Sequence, residues 1–108
     1  MEPMVDRAFL RQAGFDTLPP APGDKGREAL LRHWPTVASI AVSSRTRVEV
    51  DVSIRHDGLT AVAVRHPDDA GGREILREQA GLSQRRLLAL LYFFGIPAVV
   101  LPETHPCR

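Results

Sequence analysis

The chain has 108 residues, 44% of them apolar and 25% charged, and a formal net charge of +1. That length supplies one hydrophobic core rather than two, and that balance excludes both a disordered chain and a globally basic nucleic-acid binder. The one cysteine, Cys107, excludes an intrachain disulfide and a cysteine-rich zinc site, and it implies an intracellular, cytoplasmic setting.

Thirteen of the fourteen basic residues are arginine, with Lys25 the exception. A GC-rich coding sequence gives that skew, and so does phosphate recognition by the guanidinium fork; composition does not separate the two. The N-terminus, MEPMVDRAFL, lacks the basic region and apolar core of a signal peptide. The longest apolar run, LLALLYFFGIPAVVL at 87–101, is too short for a membrane span and is broken by Gly95 and Pro97.

In chain order, residues 4–13 form a short helix ending at Gly14, and LPPAPG at 18–23 is a linker that cannot continue it. Residues 1–23 are therefore expected as an appendage. Asp24 stands at an N-cap, and KGREALLRHW places Ala29, Leu30 and Trp34 at helical spacing before Pro35 ends the helix. Three strand-like segments follow: TVASIAV (36–42), RVEVDVSI (47–54) and LTAVAVRH (59–66). In the second, Val48, Val50, Val52 and Ile54 share one face, which puts Glu49, Asp51 and Ser53 on the other.

HPDDAGG breaks the pattern as a loop, and REILREQ (73–79) reads as a short helix. Ser83 caps a second helix, QRRLLALLYFFG, whose apolar residues lie nearly all round. IPAVVLP (96–102) reads as a central strand, with 103–108 a tail. The order α-β-β-β-α-β over 24–102 implies an α/β domain with a small mixed sheet flanked by helices, in which the last strand inserts parallel to an earlier one. This is the core topology of the restriction-endonuclease-like fold.

The segment VDVSIRHDGLTAVAVRHPDD, with DKGREALLRHWPTVASIAV before it and LLYFFGIPAVVLP after it, resembles TnsA-type transposase endonuclease subunits. In that family a Pro-Asp opens a strand, a turn with Asp-Gly follows, and a valine-rich strand carries further catalytic groups. Here Val50 replaces the proline and Asp51 matches the aspartate. Matching Leu30, Leu31 and Pro35 puts Asp24 at the position of the family's helix glutamate.

The resemblance implies a Mg²⁺-dependent DNA endonuclease with Asp51 as metal ligand and Asp24 and His66 as further catalytic candidates. The chemistry requires at least two carboxylates on the metal and a basic group at the water. Ala63 or Val64 stands at the expected second acid, and Arg65 or His66 at the expected lysine. Arginine is not a base at neutral pH, so Arg65 serves at most as a charge clamp. Asp68 and Asp69 are possible substitutes, while Glu28 and Glu49 read as surface acids.

The expectation is a shortened, degenerate TnsA-like protein of a bacterial mobile element that binds DNA or a transposase subunit without cleaving. Neither a cofactor nor a membrane partner is expected. Arg65, Arg73, Arg77, Arg85 and Arg86 form the candidate DNA-binding set. Two alternatives stand beside it. One is an active Mg²⁺ nuclease with relocated ligands. The other is a helix-turn-helix regulator, because LREQAGLSQRRLLALLYFFG resembles the start of a phage-repressor-type module. His33, His56, His66 and His105 show no paired metal-ligand spacing.

Overall fold

The computed structural model describes residues 2–41, 48–66 and 72–96. In chain order the elements are α1 (Arg7–Gln12), β1 (Asp16–Thr17), α2 (Lys25–His33), β2 (Thr36–Ala41), β3 (Glu49–Ile54), β4 (Thr60–Arg65), β5 (Arg73–Glu78) and α3 (Gln84–Phe93). The five strands form one antiparallel sheet in sequence order, β1-β2-β3-β4-β5.

Each helix starts where a short side-chain acceptor meets an otherwise unpaired backbone donor. Asp6 accepts from the Phe9 N–H at 2.8 Å, Asp24 from the Arg27 N–H at 3.0 Å, and Ser83 from the Arg86 N–H at 3.2 Å. The β3–β4 hairpin turns through Arg55–Leu59. There Asp57 takes a bidentate hydrogen bond from Arg55 and another from the Leu59 N–H, and Gly58 adopts φ +93, a conformation glycine reaches without strain.

Strict alternation in β3 and β4 sends Val48, Val50, Val52, Val62 and Val64 to one face of the sheet. Helices α1 and α3 cover that face with Phe9, Leu10, Leu87 and Leu91, and Phe15, Leu82 and Ile96 close the same core. The valine face and the carboxylate face of β3 therefore separate as strand parity requires. Helix α2 has no buried residue and lies beside the opposite face, which is open.

Several expectations need correction. The first 23 residues are no appendage: Val5, Phe9, Leu10, Ala13 and Phe15 belong to the main core. Residues 73–78 form β5 and not a helix. A helix confined between the glycines at 72 and 81 would be too short to hold itself together, whereas an extended chain pairs with the outer side of β4 and seats Leu76 against the core. The element order thus differs from α-β-β-β-α-β by the unexpected β1 and β5, while the helix expected over residues 4–13 is present as α1. Among the described residues the sheet is antiparallel throughout rather than mixed. The closing strand expected at 96–101 falls, after the buried Ile96, outside the described residues. With 73–78 extended, the first helix that a helix-turn-helix requires does not exist.

One irregularity shapes the outer strand. Val62 pairs with Leu76 but Ala63 pairs with Glu74, so Ile75 is an extra residue in β5, a β-bulge. Arg73, Leu76 and Glu78 therefore stand opposite Val64, Val62 and Thr60 on the helix-covered face, and Glu74 and Arg77 stand on the open face.

Candidate functional site

The open face is built from rows of side chains that run across the sheet. The central row is Asp16, Ser39, Asp51, Ala63 and Glu74, one from each strand. Val37, Ser53, Ala61 and Arg77 make the row beside it, and Ala41, Glu49 and Arg65 the row on the other side. Small residues at Ser39, Ser53 and Ala63 keep the floor low. Leu18 and Pro19 after β1, with Leu30 of α2, rise above it, leaving an open hollow of about 680 Å³.

Asp51 stands near the middle of this floor with its side chain 17% exposed. Arg65 Nη2 donates to Asp51 Oδ2 at 2.8 Å, while its Nη1 lies 3.7 Å from Glu49 Oε1. The two carboxylates are neighbours on one strand. A shared hydrogen bond with Asp51, then burial, then the charge of Asp51 push the Glu49 carboxyl above its ordinary range, and Arg65 opposes them. At the far side of the floor Arg77 donates to both carboxylate oxygens of Glu74, at 2.7 and 2.9 Å, and stacks its guanidinium 5.9 Å from the Trp34 ring centre.

The residues expected to act together are only partly together. Asp51 and Arg65 share the hollow. Asp24 caps α2 and does not line it. His66 borders a second hollow of about 390 Å³ with Val64, Arg73, Ile75 and Phe94, reached from the helix side. Arg85 and Arg86 sit on α3, 3.5 Å from Glu2 and 2.8 Å from Glu78. The five arginines of the expected DNA-binding set are thus divided between two faces. Asp68 and Asp69 lie outside the described residues.

Reasoning from sequence missed Asp16, Glu49 and Glu74 as lining groups. Strand parity carried the signal for Glu49, two residues from Asp51. Asp16 and Glu74 enter only through the pairing of β1 and β5, which no local pattern announces. Together with Asp51 they make the hollow rich in carboxylates, with Arg65 the cation that lines it.

This donor set does not fit a resident Mg²⁺. The ion needs several oxygen ligands in octahedral array, and Asp51 is already committed to a guanidinium. Ala63 stands opposite it where a second strand would offer its acid, and among the described residues no three His, Cys, Asp or Glu side chains gather closely enough to hold a metal. Among those residues, too, no helix is long and apolar enough to cross a membrane. Compared with protein-family models, curated proteins and solved structures, the chain matches none.

Proposed function

We propose that this chain is a non-cleaving protein of a mobile element, a degenerate TnsA-like subunit on a restriction-endonuclease-like scaffold, whose role is to bind a transposase partner. The observation that carries the reading is the 2.8 Å contact between Arg65 and Asp51. It places a fixed cation against the carboxylate that a nuclease of this type would use for its metal.

A protein partner is favoured over DNA by charge. The open face carries more carboxylates than cations, which repels a phosphate backbone. Arg65, Arg77, Arg85 and Arg86 each lie within 3.5 Å of a carboxylate, so each of these cations has a neighbour of opposite charge within the molecule. Tyr92 and Phe93 at the end of α3 are 84% and 80% exposed, and exposed aromatics of this kind are enriched at protein interfaces.

The deciding experiment is nicking of supercoiled plasmid in Mg²⁺ and in Mn²⁺, with and without a transposase encoded beside this chain, paired with a direct binding titration of that transposase. The reading expects binding that weakens in Tyr92→Ala/Phe93→Ala and no metal-dependent nicking. Nicking that disappears in Asp51→Ala would establish the active-nuclease alternative instead.

A further inference from the structure

Strand β5 ends the sheet: among the described residues, the backbone hydrogen bond it makes outside its pairing with β4 is one from the Gly81 N–H to the Glu78 carbonyl, at 3.4 Å. An outer strand of six residues offers a row of backbone donors and acceptors to any strand laid beside it. Its sequence, Arg73-Glu74-Ile75-Leu76-Arg77-Glu78, has a particular symmetry. Laid antiparallel against itself about a centre between Ile75 and Leu76, it brings Arg73 opposite Glu78 of the second copy, Glu74 opposite Arg77, and Ile75 opposite Leu76. Every charge meets its opposite.

In a regular strand this register is forbidden. Paired residues must point to the same side of a sheet, and residues whose numbers sum to an odd value alternate to opposite sides. The bulge at Ile75 removes the conflict. It puts Arg73 and Glu78 together on the helix-covered face and Glu74 and Arg77 together on the open face, as the self-pairing needs. We propose that the β5 edge is a homodimerisation surface, joining two copies across a two-fold axis at Ile75–Leu76 into one continuous ten-stranded sheet.

On the open face, Glu74 and Arg77 of each copy then form a ring of four alternating charges about the axis. The existing bidentate contact between Glu74 and Arg77 becomes two sides of that ring, so no ion pair is lost in forming it. On the other face Leu76, which packs against the core, stands opposite Ile75 of the second copy, so the exposed Ile75 is covered. Uniform charge on an edge strand keeps copies apart; alternating charge in mirror order selects the same strand in another copy. The axis lies perpendicular to the sheet, so both hollows open on the same side of the dimer.

The test measures mass by sedimentation equilibrium from micromolar to millimolar protein, with circular dichroism as a check on folding. Wild type is expected to reach the mass of two chains. Glu74→Arg and Arg77→Glu each set like charges face to face in the self-pair and weaken association about tenfold or more. Mixed one to one, the two single variants become complementary and form a heterodimer, and the double variant Glu74→Arg/Arg77→Glu regains self-association. A wild-type protein that stays monomeric overturns the proposal, as do single variants that associate like wild type or a mixture that fails to pair. Amide exchange in wild type gives a readout free of any variant: protection at residues 73–78 rises with concentration if the edge pairs, and concentration-independent exchange there also overturns the proposal.

Discussion

Arg65 stands directly opposite Glu49 in the β3–β4 register, yet its guanidinium makes its short contact, 2.8 Å, with Asp51 on the diagonal. The 3.7 Å separation from Glu49 is the looser of the two. Asp51 is thus the preferred partner, and Glu49 keeps only the looser contact. A double-mutant cycle over Asp51→Ala and Arg65→Ala should return a coupling of about 1 kcal/mol, since one partner is largely buried and the other half-exposed. Urea unfolding of the four proteins measures it. Additivity within about 0.3 kcal/mol would mean the contact is not maintained in solution.

The carboxylate pair gives a pH signature. The pKa of Glu49 is raised in the folded protein, so the folded state holds that proton more tightly than the unfolded chain. The resulting stabilisation is fully present below the ordinary value of 4.5 and is lost as pH rises through the higher, folded value. Glu49→Gln mimics the protonated form at every pH. It is therefore expected to melt higher than wild type at neutral pH, with the difference vanishing in acid. Thermal melts at a series of pH values check it, and a variant that melts lower at neutral pH would contradict the assignment.

Asp57 behaves in the opposite sense. Its hydrogen bonds from Arg55 and then from the Leu59 N–H lower its pKa from 3.8 to about 2. Its contribution is present above about 3.8 and is lost as pH falls toward 2. Asp57→Asn should flatten the acid limb of the stability profile in that interval and leave the neutral region with a constant offset. An unchanged acid limb would show that the Arg55–Asp57 clamp does not persist in solution.

The role of the N-terminal helix is tested by a pair of leucines. Leu10 in α1 is wholly buried, so Leu10→Ala removes core contacts and leaves a cavity, at a cost of about 2–5 kcal/mol. Leu30 in α2 is exposed, and Leu30→Ala should stay within about 0.5 kcal/mol of wild type. Chemical denaturation of both variants compares them. A small effect at Leu10 would mean that α1 docks only weakly.

What the sequence made legible is what period and spacing control. The two faces of β3, the caps at Asp24 and Ser83, and the β3–β4 hairpin follow from alternation, a short acceptor before an apolar run, and Asp-Gly in a turn. Residues 73–78 consist of helix-forming residue types, yet they also fit an extended strand with one bulge, and the vacant side of β4 decides between the two. Residues 18–19 read as linker, yet Leu18 and Pro19 wall the hollow. Asp51 and Arg65 were legible as residues of interest, but not the diagonal contact between them, because that depends on guanidinium reach and not on position along the strand.

The two ends of the described chain are stitched together. Val5 N–H donates to the Leu82 carbonyl at 2.7 Å, Gln84 N–H to the Pro3 carbonyl at 3.0 Å, and the Gln84 side-chain amide to the Met4 carbonyl at 3.0 Å. Helix α1 is made first on the ribosome, but the segment that holds its N-terminal side is made some 80 residues later. Until that segment leaves the exit tunnel, Phe9 and Leu10 cannot be fully enclosed, and the nascent chain must keep a greasy surface from associating wrongly. Closure between partners so distant in sequence is also slow.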